Sequence, residues 1–192
     1  MAARTAMGSA QTRSDVESRI EQRKMRSAFA IFLFSMSVPY FMMINVRYIM
    51  SGGFIPPALD QTTGAIQTVL LVISLLTAVA AVRRVQQGDG RGYKRMTDVT
   101  LFLGGVGTLM QGYELWYHPL NPMSHYGETF LATVGLSVVM GLVGLLVLAA
   151  GRERVKRIGV TPERQLGYEL SSWYWVFTVI TWVALYVELY LL

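Results

Sequence analysis

Residues 129–150 read Thr-Phe-Leu-Ala-Thr-Val-Gly-Leu-Ser-Val-Val-Met-Gly-Leu-Val-Gly-Leu-Leu-Val-Leu-Ala-Ala, a stretch without a single charge. About 20 such residues cross the roughly 30 Å hydrocarbon layer of a membrane as a helix, which pairs every backbone polar group within its own segment. Working outward, the runs Ala28 to Val46, Ala65 to Val82, Val99 to Met110 and onward past Glu114, and Ser171 to Val187 have the same character. The expected fold class is therefore an all-α membrane protein, a bundle of five transmembrane helices. The spans are placed at about 28–49, 65–84, 98–117, 127–150 and 171–191, so that residues 28–192 form the transmembrane domain and 1–27 a polar tail.

Composition agrees with that class. Of 192 residues, 53% are apolar and 15% charged, far from the balance of an ordinary soluble domain. The net charge of +5 raises the question of a nucleic-acid partner, which the location of the basic residues answers. Arg4, Arg13, Arg19, Arg23, Lys24 and Arg26 precede the first span. Arg83, Arg84, Arg91, Lys94 and Arg95 lie between spans two and three, and Arg152, Arg154, Lys156, Arg157 and Arg164 between four and five. By the positive-inside rule the tail and these two loops face the cytoplasm. The segments around Gly52–Thr63 and His118–Glu128 then lie outside, and five crossings carry the carboxyl terminus to the periplasmic side. Attraction to anionic lipid explains the basic loops, and no nucleic-acid partner is expected. The tail is rich in Arg, Ser and Ala, but Asp15, Glu17 and Glu21 interrupt it, and it reads as retained rather than cleaved.

The chain has no cysteine, which excludes disulfides, thiolate metal sites and covalently attached haem. A haem held between helices would need His or Met ligands facing each other at membrane depth, yet His118 and His125 both fall in an outer loop. The eleven methionines are better explained as packing residues. Catalytic and metal-binding residues are thus expected to be absent. Pro39 should kink span one. Small residues at four-residue spacing, Gly104, Thr108 and Gly112 in span three and Thr129, Thr133, Ser137 and Gly141 in span four, predict close packing of those two helices.

An ionisable group within a span costs about 2.5–3.5 kcal/mol on insertion scales and needs a partner, water or a function. Glu114 is the main candidate, with Gln111 three residues earlier on the same helix face, where the amide can donate to the carboxylate. A lone carboxylate on its helix is expected to anchor a polar contact to another helix or subunit; a proton or ion relay is the sharper alternative. Glu169, Glu188 and Arg47 sit near span ends, where each can reach headgroups or water.

The stretch Gly167-Tyr-Glu169-Leu-Ser-Ser-Trp173-Tyr-Trp175-Val-Phe177, continuing through Trp182 to Leu185-Tyr186-Val187, resembles the last helix of the cytochrome c oxidase subunit III family. Leu103-Gly104 with Gln111 and Glu114 is similar to that family's Leu-Gly…Gln-x-x-Glu-Tyr helix, and Tyr126-Gly127-Glu128-Thr129-Phe130 to its Tyr-Gly-Ser-x-Phe helix start. The three blocks fall in order over residues 95–192, with a weaker match through Leu33-Phe34 to Phe41, and a short five-helix form is known in the family. Three departures stand out. The family's carboxylate in the first of these helices is replaced near Val38, its Gly-Phe-His-Gly-x-His histidines are missing between Thr133 and Gly141, and its His and Asp after Trp-Tyr-Trp are Val176 and Thr178.

The resemblance implies a noncatalytic accessory subunit of a haem-copper oxidase that reduces oxygen and pumps protons, in the inner (plasma) membrane of a prokaryote. It would bind no cofactor of its own beyond phospholipid, with haem and copper carried by partner subunits, the catalytic subunit I foremost. Gln111, Glu114, Tyr126, Gly127, Glu169, Trp173, Trp175, Trp182 and Tyr186 would be its motif, subunit-contact or lipid-contact residues. A nitric oxide reductase-associated relative and a small transporter component are the competing readings. The absence of an internal repeat speaks against the transporter.

Overall fold

The computed structural model describes residues 2–52, 54–117, 120–160 and 162–192, without the side chains of 2–18 and 162–164. Among them the structure is all-helical: α1 (Ala2–Ser51), α2 (Gln61–Gln86), α3 (Gly90–Trp116), α4 (His125–Ile158) and α5 (Pro162–Tyr186), the last running into a π-helical turn, Val187–Leu191. The chain forms two compact units, Met1–Met36 and Ser37–Leu192. In the first, the helical residues from Arg19 onward are largely solvent- or lipid-facing, with Ile31 and Phe34 exposed. The helix continues through Pro39. Position 118, one of the two loop histidines, lies outside the described residues.

Local chemistry sets the helix starts. The Asp60 carboxylate accepts from the backbone N–H groups of Thr62 and Thr63 at the head of α2, Asp89 accepts from Gly92 at α3, and the Ser124 hydroxyl accepts from Gly127 at α4. Each satisfies donors that the first helical turn leaves without intrahelical partners. The Thr63 hydroxyl, with its N–H behind it, holds the Asp60 carboxyl below its ordinary value. The cap is therefore in place at neutral pH and is lost as pH falls through that lowered value. At the other end of α4, Gly159 takes a φ of 79°, a left-handed conformation that suits glycine, and its N–H closes on Val155.

Among the described residues four helices are long and apolar enough to cross a membrane: α2, α4, Arg19–Ser51 of α1, and Gln165–Leu191. The exception is α3, and its face distribution explains why. Thr97, Thr100, Gly104, Thr108, Gln111 and Glu114 are buried, while Phe102, Leu109, Tyr113 and Trp116 point outward. Its polar residues lower its average hydropathy, and two of them, Thr100 and Glu114, bond side chains of α2 or the terminal turn. The helices also overrun the expected spans. With 34 residues α4 is about 51 Å long, so its last turns, with Arg152, Arg154, Lys156 and Arg157, extend past a 30 Å layer.

Within Ser37–Leu192, α2 packs on α3 and α5, and α4 packs on α3 and α5. Trp175, fully buried on α5, lies at the centre of this arrangement. Its ring fills the positions where Gly104 of α3 and Gly144 of α4 would carry a Cβ. Its indole N–H donates to the Ser74 hydroxyl of α2 at 3.0 Å. Two turns on, Trp182 donates to Thr68 at 3.0 Å. Around them Phe130, Val134, Leu148, Val179 and Leu71 complete the apolar core. Gly141 of α4 lies against Thr108 of α3, its Cβ position 3.0 Å from the hydroxyl, whereas Gly112 has open space at its Cβ position. The small-residue face of α3 thus divides between two partners, with Gly104 serving α5 and Thr108 serving α4.

Replacing Gly104 by Ala forces a methyl into the Trp175 ring and should cost about 1–3 kcal/mol as overpacking. Gly105→Ala, inside α3 at a position with nothing within 4 Å, should hold or raise the unfolding midpoint of the detergent-solubilised protein, because alanine favours the helix by about 0.5–1 kcal/mol over glycine.

Candidate functional site

A cluster of buried polar groups lies at one end of the bundle, where α2 begins, α3 ends and the π-helical turn follows α5. Glu114, 7% exposed, accepts from the Gln67 amide at 2.8 Å and from the Tyr190 hydroxyl at 2.5 Å. Both oxygens are thus engaged by α2 and the carboxyl-terminal turn, rather than by Gln111 one turn earlier on α3. Gln111 is itself buried beside the Trp175 and Trp182 rings. The Tyr190 ring occupies the space a Cβ on Gly64 would need, and stands edge-on to Phe130 at 6.1 Å. A Gln67 amide beside Tyr190 could not be foreseen from spacing, because 47 and 76 residues separate them from Glu114.

Arg47 and Glu188 form the second half of this end. Neither reaches headgroups or water. Arg47 is fully buried and Glu188 is 4% exposed, with Arg47 Nε 3.4 Å from Glu188 Oε1. That is ion-pair distance without hydrogen-bond alignment, and neither the guanidinium nitrogens nor the carboxylate oxygens have a hydrogen-bond partner among the described residues. The guanidinium carbon lies 5.7 Å from the ring centres of both Tyr48 and Tyr126, a cation-π arrangement. Tyr126 in turn donates its hydroxyl to the Leu189 carbonyl at 2.7 Å. Glu188, Leu189 and Tyr190 are all buried in the π-helical turn, so one short segment meets α1, α4 and, through Tyr190, α2 and α3.

From Ser37 to Ser51 the only buried residues of α1 are Tyr40 and Arg47. Seven residues apart, they share one face. Tyr40 stands edge-on to Phe177 at 6.2 Å. An edge-on aromatic contact at Tyr40 and the Arg47–Glu188 ion pair thus tie this stretch to α5 and the terminal turn.

The opposite end is held by different pairs. Glu169, 8% exposed, accepts from Gln86 at 3.1 Å. Asp98 accepts from Arg152 at 2.5 Å, and Arg152 also pairs with Glu153. Thr77 and Thr100 share a hydrogen bond at 2.7 Å between α2 and α3. Trp173 is 41% exposed, whereas Tyr186 stacks on Tyr190 at 5.1 Å. Thr133 and Ser137 are buried, and Gly127 lies against the Asn121 carbonyl. Among the described residues no three His, Cys, Asp or Glu side chains gather in a metal-binding arrangement.

Arg47→Ala or Glu188→Ala alone strands a buried charge and should cost about 3–5 kcal/mol, whereas Arg47→Met with Glu188→Leu together should regain most of it. Unfolding midpoints of the three variants check this. Equal loss in the double variant would show that the pair is not what the single changes disrupt.

Comparison with known proteins gives the chain its family. The family model described as cytochrome c oxidase subunit III matches residues 30–192. The probable cytochrome c oxidase subunit 3 of Mycobacterium leprae is 34% identical over 150 residues, covering 73% of this chain and 72% of that protein. Cytochrome c oxidase subunit 3 of Corynebacterium diphtheriae is 28% identical over 127 residues, covering 64% and 62%. That of Oncorhynchus mykiss is 29% identical over 145 residues, 72% of this chain and 56% of the fish protein. The chain thus spans little more than half the length of the fish relatives. With a match running from the middle of α1 to the last residue, through the Gln111–Glu114 and Trp173–Trp182 blocks, this chain belongs to the cytochrome c oxidase subunit III family.

Proposed function

We propose that this chain is a noncatalytic accessory subunit of a respiratory haem-copper oxidase, in which partner subunits carry the haem and copper that reduce oxygen and pump protons. It stabilises the catalytic subunit and holds membrane lipid against it. The family match over residues 30–192 carries the reading. The use of the buried polar groups supports it: Glu114, Ser74, Thr68 and Glu169 each bond a side chain of another helix. They tie a scaffold together, and the buried carboxylates are engaged in helix contacts.

The proposed setting is the plasma membrane of a prokaryote, with the amino-terminal tail and the α2–α3 and α4–α5 connections on the cytoplasmic side. Arg83, Arg84, Arg91, Arg95, Arg154 and Arg157 all lie at the end of the bundle away from Glu114 and are open to its surroundings. That end suits anionic headgroups and the positive-inside rule. Gln111, Glu114, Tyr126, Gly127, Glu169, Trp175, Trp182 and Tyr186 then act as the framework of the subunit, and Trp173 as a surface contact.

Extraction in mild detergent should recover this chain with a large haem-bearing partner, read by the haem spectrum of the complex. Recovery as a free monomer with transport activity overturns the proposal. In the complex, Glu114→Gln should weaken subunit retention more than electron transfer. Lost proton pumping with intact assembly would instead give Glu114 a proton-handling role.

A further inference from the structure

Within the uncharged runs of α2 to α5, every Ser, Thr, Asn and Gln is buried or half-buried. Polar side chains inside a span turn away from lipid because hydrocarbon offers them no hydrogen bond. Asn45 of α1 breaks this pattern. It is exposed, and it stands six residues, about 9 Å of helix, short of the end of α1 at Ser51. Its Nδ2 donates to the Phe41 carbonyl of its own helix at 2.7 Å. A second amide N–H and the side-chain oxygen remain unspent.

The neighbours of Asn45 form a continuous stripe. At about 100° per residue, Val38, Met42 and Ile49 share its face of α1, half a turn away from Tyr40 and Arg47. All three are exposed, and Tyr40 and Arg47 are the only buried residues between Ser37 and Ser51. The steps from Val38 to Met42, Asn45 and Ile49 are four, three and four residues, the spacing of a seam along which a second helix packs. A single polar residue in such a seam fixes the register of the pair.

We propose that the Val38–Met42–Asn45–Ile49 face of α1 is the docking surface for one transmembrane helix of the haem-bearing partner subunit, which sets a hydrogen-bonding side chain opposite Asn45. The inference rests on the accessory-subunit reading above and adds to it the helix, the face and the polar contact. An acyl chain covers three of the four residues equally well but has nothing to give the amide. A Ser, Thr, Asn, Gln or His on a second helix answers both its donor and its acceptor.

Photo-crosslinking in native membranes identifies the occupant. With p-benzoylphenylalanine in place of Met42 or of Ile49, illumination should join this chain to the haem-bearing subunit, at a peptide from one of its membrane helices identified by mass spectrometry. Adducts with lipid alone, or with a second copy of this chain, overturn the proposal. The amide is tested by Asn45→Leu in the intact complex. On a face that meets only lipid, leucine removes an unpaired amide, and the share of haem-bearing partner retained through detergent washing holds or rises. Against a partner helix the same change removes an interhelical hydrogen bond, and retention should fall about threefold. Retention that holds or rises overturns the proposal. Recovery of the chain with no haem-bearing partner at all overturns the accessory-subunit reading as well, whereas lipid-only adducts within an intact complex overturn the docking face alone.

Discussion

One side chain organises the bundle. Trp175 projects from α5 into a slot that exists because Gly104 and Gly144 carry no side chain, and its single N–H reaches Ser74 on α2. Helices in lipid gain little from the hydrophobic effect, because the lipid tails are as apolar as leucine. Close packing and interhelical hydrogen bonds must therefore hold them together, and a large ring with one polar handle provides both. The two missing Cβ atoms and the serine hydroxyl set the depth of the ring, and the ring sets the spacing of all four helices.

The carboxyl-terminal turn does comparable work at one end. A π-helical segment spaces its residues differently from an α-helix, and within Val187–Leu191 three consecutive residues are buried in different directions. Glu188 faces Arg47, the Leu189 carbonyl accepts from Tyr126, and Tyr190 reaches Glu114. Burying five ionisable or phenolic groups in so small a volume is costly unless they answer one another. They do so incompletely at Arg47, which has the charge partner it needs but poor alignment with it.

Much of this was legible in the chain. The uncharged runs announced the helices and the block from Gly167 to Val187 carried the family resemblance, whereas the caps Asp60, Asp89 and Ser124 emerged only in the structure. Glu114 stood out as a buried carboxylate in need of a partner. The partner was not readable: Gln67 is an unremarked amide in an aliphatic run and Tyr190 one of several terminal aromatics. Reading Arg47 and Glu188 as headgroup-seeking residues followed from their distance to the span ends. The structure buries them instead because two helix ends and the terminal turn converge there, giving each charge an opposite charge within reach. In the same way Gly112, grouped by spacing with Gly104 and Thr108, turned out to face no neighbouring helix, because four-residue spacing drifts around a helix of 3.6 residues per turn.

The sequence by itself determined the all-helical class, the approximate ends of the helices and the family, since all three depend on local features: length without charge and short motifs. Only the tertiary structure decided which polar side chains answer each other, that α3 divides its small face between α4 and α5, and that the terminal turn joins α1 to the rest. Those outcomes depend on the rotation of each helix about its axis. That rotation is set by contacts such as Trp175 with Gly104 and Gly144, between residues dozens of positions apart, and no local pattern encodes it.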